Sequence, residues 1–298
     1  MLMKKIIECV PNFSEGRDRA KIEKIVSAFR GRSGVKLLDC QSDKDHHRSV
    51  VTVVGEPEPL QHAIIEAIGI AVEIIDMNSH KGQHPRMGAA DVVPFIPVRN
   101  SDMAEAVEIS KLVAKAVSET YRLPVFLYEE SASAPHRRNL ADIRKGEFEG
   151  MPEKLKDPDW HPDFGPPERH PTAGVTAVGA RMPLIAYNVN LATNRLDIAE
   201  DIAKKVRHIS GGLRYCKAIG VELREKGMVQ VSMNLTDYRK TAIYRVFELI
   251  RIEARRYGVS IAGSEIVGLA PMAALTDTAV YYLGIENFSE DQVLELHL

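Results

Sequence analysis

The sequence predicts an α+β protein of two α/β sandwich subdomains, and three observations predict it. Its 298 residues exceed what one ordinary hydrophobic core organises. Apolar residues recur with both the helical period and the alternation of half-buried strands. The order of those periods, βαββαβ, can be read twice along the chain.

In the first half, strands are expected near residues 6–13, 35–40, 49–54 and 92–97. Helices are expected near 18–29, 59–70 and 102–119, and a further strand at 125–130 extends the layer. In the second half, residues 183–191 form a β-rich run. Thr193 and Asn194 can then cap a helix whose apolar positions Leu196, Ala199, Ile202 and Val206 keep a three-to-four spacing until Gly211 and Gly212 end it. Val229, Val231, Met233 and Leu235 alternate with polar residues, as a strand with one buried face does, and residues 214–223 supply a neighbour across a turn at 225–227. Asp237 precedes a helix with Ile243, Val246, Phe247, Ile250 and Ala254 on one face, and 259–267 returns to strand character.

The pattern sets a first subdomain over residues 1–181 and a second over 182–298. Between the two patterns lies the irregular stretch 137–182, with prolines at 152, 158, 162, 166, 167 and 171 and the lone Trp160. Proline at this density argues against a long helix or a central strand. A connector this long is either ordered and functional or a simple linker.

The 39 basic and 41 acidic side chains give a formal net charge of -2. That balance excludes a protein whose main task is coating a phosphate backbone, so no nucleic-acid partner is expected. The first residues, MLMKKIIECVPNFSEG, hold too short an apolar run for secretion or a membrane span, so no membrane association and a cytoplasmic location are expected. Cys9, Cys40 and Cys216 are scattered and odd in number, which reads as reduced thiols.

The most unusual segment is residues 78–91, NSHKGQHPRMGAAD. It sets His80, His84, Lys81, Arg86 and Asp91 around glycines and a proline just before the apolar run VVPFIPV. Two histidines four apart invite a zinc reading, but Gly82 and Gln83 replace the metalloprotease glutamate pattern and Pro85 disfavours a helix, so no metal is expected. His84 is the candidate general base. His80 either shares that work or orients the loop or a ligand, while Lys81 and Arg86 suit a substrate carboxylate or simply face water.

The second polar cluster, residues 39–48, is either an exposed hairpin tip or, through Asp43, Asp45 and His47, part of a proton-transfer network. The third, Gly174, Val175, Thr176, Ala177, Val178, Gly179, Ala180 and Arg181, is no dinucleotide fingerprint, since its glycines are five apart and no obvious strand precedes it. Its small residues could let a flat ligand approach the backbone.

Three motifs in one order, CVPNFSEG at 9–16, HKGQHPRMGAAD running into VVPFIPVR, and GVTAVGARMPLIAYNVNL, make the chain resemble the formiminotransferase (glutamate formimidoyltransferase) family. The likeness runs from about residue 6 to about residue 280. It is to the stand-alone form, with no cyclodeaminase domain, so channelling to a deaminase would need a separate cyclodeaminase.

The resemblance implies two ferredoxin-like-type sandwiches whose mixed sheets face each other around a cleft or tunnel, assembled as a homodimer. It implies transfer of the formimino group from N-formimino-L-glutamate to N5 of tetrahydrofolate, the co-substrate, in histidine degradation. His84 takes the place of the family's catalytic histidine, with His80, Asp39 and Arg48 around it, and residues 174–181 match the folate segment. A position acidic in some relatives is Gln41 here, which leaves open which carboxylate supports the histidine, Asp43 and Asp45 being substitutes. Processing of 5-formyltetrahydrofolate, by formyl transfer or ATP-dependent cyclisation, and a folate-binding module without turnover are the competing readings.

Overall fold

A computed structural model describes residues 4–44, 46–82, 84–223 and 226–297. The chain divides into two units, Met1–Arg181 and Met182–Leu298.

The first unit opens with β1 (Ile6–Cys9) and β2 (Asn12–Phe13), then α1 (Arg19–Val26), β3 (Val35–Asp43), β4 (Arg48–Gly55), α2 (Pro57–Ile74), β5 (Ala90–Arg99), α3 (Met103–Tyr121) and β6 (Val125–Glu129). Two short helices follow, α4 (Leu140–Arg144) and α5 (Glu147–Lys154), and then β7 (Thr176–Ala180). The run expected as one strand over 6–13 is split in two. Pro11 and Pro94 both fall at the break and neither carries an N–H, so the ladder lapses there, with Val10 N still donating to Pro94 O at 3.2 Å.

The seven strands form one sheet in which β3, β4, the β1/β2 pair and β5 lie side by side and antiparallel. β7 then pairs parallel to β5, and β6 parallel to β7. Helix ends are fixed locally. The Asp18 carboxylate accepts from Ala20 N and Lys21 N at the start of α1, Pro57 opens α2, and Asp102 and Glu105 form a reciprocal capping box on α3.

Both faces of this sheet are covered. Val93, Phe95, Val125, Leu127, Val178 and Ala180 pack with the apolar faces of α1, α2 and α3. Their alternates Val92, Phe126, Tyr128, Val175 and Ala177 pack with Ile143, Met151 and Leu155 of the connector. The proline-rich stretch is therefore an ordered lid on the second face of the sheet. It also supplies a central strand, β7, contrary to the sequence reading. Its prolines end at Pro171, leaving 174–181 free to pair on both edges.

The second unit comprises β8 (Ile185–Leu191), α6 (Leu196–Val206), β9 (Cys216–Leu223), β10 (Met228–Leu235), α7 (Ile243–Arg256), β11 (Ile261–Val267) and α8 (Met272–Leu283). Its sheet order is β11-β8-β10-β9, wholly antiparallel. Mixed pairing thus belongs to the first sheet alone. The order βαββαβ is seen in both units, with β7 and β6 as additions to the first. Ile185, Val189, Val229, Val231, Ile198, Ile202, Val246 and Ile250 share one core. The other face of the sheet carries a polar row in which Gln230 Nε2 donates to Asn190 Oδ1 at 2.8 Å and to Glu265 Oε1 at 2.9 Å.

Two boundaries differ from expectation. α6 starts at Leu196 with Arg195 as its cap residue, and Thr193 Oγ1 instead accepts from Arg195 N at 3.3 Å. Helix α8 has no counterpart in the sequence reading. The turn expected at 225–227 lies partly outside the described residues.

Gly179 shows how tightly β7 is held. A Cβ there would lie 2.3 Å from Tyr128 O and 2.7 Å from the Tyr128 ring. We expect Gly179→Ala to lower the unfolding free energy by about 1–3 kcal/mol, the usual cost of overpacking, read as a shift in the urea midpoint. An unshifted midpoint would show that the strand gives way at no cost.

Candidate functional site

The site lies where β4 and β5 begin and the connector crosses them. Asp91, second residue of β5, is fully buried. Its Oδ1 accepts from Met87 N at 2.9 Å, and its Oδ2 accepts from Arg48 Nη1 at 2.7 Å and Arg144 Nη2 at 2.6 Å. Burial alone would raise this carboxyl's pKa, but Arg144, Arg48 and the Met87 amide outweigh it and hold it below the ordinary value. One carboxylate therefore serves two guanidinium groups, leaving one positive charge in excess.

His84 sits half-buried against this cluster. Its Nδ1 is 3.1 Å from Arg48 Nη1 and 2.7 Å from Pro85 O. One contact needs an unprotonated Nδ1 and the other a protonated one, so the tautomer decides which is made. Burial, then Arg48 and Arg144, push the His84 pKa down to about 4. The imidazole is neutral at neutral pH and has a lone pair to offer.

The remaining residues of the loop are structural struts. His80 is buried, and its Nε2 meets His47 O at 2.9 Å while its Nδ1 accepts from Arg86 Nε at 3.2 Å. With both ring nitrogens engaged, His80 has no proton or lone pair to exchange with a substrate; it positions the loop. Arg86 is likewise spent. Its Nη1 donates to Glu147 Oε2 at 2.7 Å and Glu149 Oε2 at 2.8 Å, and its Nη2 to Glu149 Oε1 at 2.6 Å and His80 O at 3.3 Å. With Nε on His80, all five N–H groups are used. The sequence expects Arg86 to meet a substrate carboxylate or face water; in the structure its fork clamps the loop to α5. Lys81 is exposed, with no ion pair among the described residues.

The acidic turn is partly relocated as well. Asp39, on β3, accepts from Gln41 Nε2 at 2.8 Å and is not among the partners of His84 or Arg48. The carboxylate beside the histidine is Asp91. Asp43 Oδ1 accepts from His46 N at 2.7 Å, and Asp45 lies outside the described residues. His47 stacks on His80 with ring centres 4.2 Å apart, its Nδ1 near Lys81 O at 3.2 Å and its Nε2 near Glu15 Oε1 at 3.1 Å. Gly82 makes this approach possible, because a Cβ there would lie 2.3 Å from His46 O.

The CVPNFSEG motif fastens the other side. Asn12 Oδ1 accepts from Arg48 Nε at 3.0 Å, Ser14 Oγ donates to Gly88 O at 2.7 Å, and Glu15 holds His47. Arg144 and Lys154 were missed by sequence reasoning. The Lys154 ammonium donates to Ile143 O at 2.6 Å and Lys145 O at 3.4 Å and lies 3.8 Å over the Trp160 ring, which pins the end of α4 that carries Arg144. Burial lowers its pKa to about 8.

Residues Gly174 to Ala180 are buried, and Arg181 alone of the segment reaches partial exposure. Their small size serves the strand packing. Among the described residues no group of three or more His, Cys, Asp or Glu side chains could hold a metal ion, and no helix is long and apolar enough to cross a membrane.

The neutral histidine has a pH consequence. Between pH 6.5 and about 4 the unfolded chain takes up a proton at His84 that the folded chain refuses, so this residue lowers stability as pH falls through that window. We expect the His84 imidazole resonance to titrate at about 4 in the native protein and at higher pH in Arg48→Gln, which removes one neighbouring cation while burial and Arg144 remain. A native value at or above 6.5 would contradict the assignment.

Comparison with known proteins shows the family. Residues 6–181 match the formiminotransferase domain, N-terminal subdomain, and residues 186–296 match the formiminotransferase domain that follows it. A glutamate formimidoyltransferase of Streptococcus pyogenes serotype M1 is 54% identical over 99% of both chains. One of Thermoplasma acidophilum is 48% identical over 97% of this chain and 96% of the relative. The formimidoyltransferase-cyclodeaminase of Mus musculus is 43% identical over 96% of this chain, which spans 54% of that longer protein. Matched in both subdomains and along nearly its whole length, the chain belongs to the formiminotransferase family.

Proposed function

We propose that the protein transfers the formimino group of N-formimino-L-glutamate to N5 of tetrahydrofolate, giving 5-formimino-tetrahydrofolate and L-glutamate, as one step in histidine degradation. The observation that carries this reading is His84, a half-buried neutral imidazole beside two arginines, Arg48 and Arg144, that share the fully buried carboxylate of Asp91, in a chain of this family. The formyl-folate readings have no comparable support.

The chemistry follows from the proton count. N5 attacks the amidine carbon, a new C–N bond forms, and the N5 proton must leave before glutamate can depart. His84 takes that proton at Nε2, with Nδ1–H held on Pro85 O. It then returns the proton to the glutamate nitrogen as the carbon–nitrogen bond to glutamate breaks, so one group serves both directions. Arg48 and Asp91 hold the ring's surroundings fixed, and the two reactants gain rate by being held in line.

Lys81, exposed at the loop, suits the substrate's side-chain carboxylate. Tetrahydrofolate is assigned to the Gly174–Arg181 segment. Its buried small residues shape the floor, and Arg181 offers the accessible side chain. We further propose a cytoplasmic homodimer, on the family resemblance.

The test supplies purified protein with tetrahydrofolate and N-formimino-L-glutamate and follows 5-formimino-tetrahydrofolate, with 5-formyltetrahydrofolate plus ATP in parallel. We expect product only in the first reaction. His84→Ala should lower kcat about 10²- to 10⁴-fold, the usual worth of a positioned acid–base group, with tetrahydrofolate binding unchanged. Near-native turnover in that variant would sink the assignment of His84.

A further inference from the structure

Among the described residues, the excess positive charge of the cluster has no matching carboxylate. Arg48 and Arg144 share Asp91 as their ion-pair partner, and the two nearby glutamates, Glu147 and Glu149, are both spent on Arg86. A guanidinium left without a counter-charge in a buried place is costly. The hydrogen-bond count tells the same story. Among the described residues, Arg144 Nε is buried and has no hydrogen-bond partner, one of two such side-chain atoms, the other being Ser49 Oγ. A desolvated donor of this kind is normally satisfied. A positive charge and an unused N–H therefore lie in one place, beside the histidine.

We infer that Arg144, with Arg48, binds the α-carboxylate of the glutamyl substrate. The inference rests on the transfer reading above and adds which carboxylate goes where. In N-formimino-L-glutamate the α-carboxylate carbon is separated from the reacting amidine carbon by two atoms, the nitrogen and Cα. The side-chain carboxylate is four atoms away. Arg48 Nη1 is 3.1 Å from His84 Nδ1, so the cluster lies next to the group that acts on that carbon and meets the nearer carboxylate. Arginine is the suitable residue, since its planar fork pairs with a carboxylate through two N–H groups. Arg86 cannot do this because its five N–H groups are taken. Arg144 is aimed by two supports, Asp91 Oδ2 at 2.6 Å and the Lys154 ammonium on the carbonyls that close α4.

Occupation by a carboxylate would also cancel the excess charge facing His84. That neutralisation favours the protonated imidazole, so bound substrate would bring the histidine closer to the value useful for taking and returning a proton. The same group would thereby bind the substrate and prepare its base.

The experiment compares three ligands by calorimetry on the full chain: L-glutamate, L-isoglutamine, which replaces the α-carboxylate by an amide, and L-glutamine, which replaces the side-chain carboxylate. For the native protein we expect isoglutamine to bind about 10- to 100-fold more weakly than glutamate, the worth of a charge-assisted hydrogen-bonded pair. Arg144→Gln should lose the same factor for glutamate and cease to distinguish glutamate from isoglutamine. It should raise KM for N-formimino-L-glutamate without raising KM for tetrahydrofolate. Arg144→Lys, which keeps the charge and loses the fork, should fall between them. A parallel urea titration establishes that each variant is folded. The His84 resonance should titrate at higher pH when glutamate is added and stay put with isoglutamine.

Equal affinity of the native protein for glutamate and isoglutamine, or native glutamate affinity in Arg144→Gln, would overturn the assignment while leaving the transfer reaction in place. Failure of all three ligands to bind, together with absence of transfer, would overturn the transfer reading and this inference with it.

Discussion

The site depends on a single carboxylate. Asp91 is fully buried and draws an arginine from β4, an arginine from the connector and the Met87 amide onto its two oxygens. Two cations and one anion in a desolvated place are stable only as a set, since removal of the anion leaves like charges facing each other at several kcal/mol of cost. The separations involved, 43 residues to Arg48 and 53 to Arg144, mean that this one side chain ties together three parts of the chain that share no local structure. Burial first, and then the two arginines of the same set, keep His84 neutral.

Around that centre runs a second polar string. Glu15 holds His47, His47 stacks on His80, His80 accepts from Arg86, and Arg86 closes on Glu147 and Glu149. Each link uses a residue type that sequence alone would credit with catalysis. Three histidines and an arginine in one region differ in function because their nitrogens differ in occupancy. The contacts of His84 all fall on Nδ1, whereas His80 and Arg86 have every nitrogen engaged. Reactivity here is a matter of which hydrogen-bond valences remain after the loop is built.

How far the sequence revealed this varies by residue for physical reasons. β10 was legible because its sheet has an apolar and a polar face, so Val229, Val231, Met233 and Leu235 alternate with their neighbours. β7 was not, because both of its faces are buried and its residues are small, which leaves no alternation to read. The motif over 78–91 marked the loop that packs on Arg48 and Arg144 and included Asp91, but the contacts within it reach residues 43 to 63 positions away. Arg86 looked like a free cation because Glu147 and Glu149 come much later in the chain. Arg144 and Lys154 drew no attention because proline density marks the connector as irregular and says nothing of which face of a sheet it covers. The assignment of Asp39 followed a turn whose acidic residues are many, and the deciding feature, full burial of one carboxylate, is a property of the folded chain.

The strand order of the first unit also bears on how the chain comes off the ribosome. β5 and β6 are made early, yet the strand between them, β7, is residues Thr176–Ala180. Until those residues emerge, the outer edge of β5 has no permanent neighbour and β6 has no place in the sheet. Unpaired edges of this kind are templates for wrong pairing, and domains form as units during synthesis. The last strand of the unit is the keystone of its parallel half, so a chain interrupted between β6 and residue 176 would carry two incomplete edges at once.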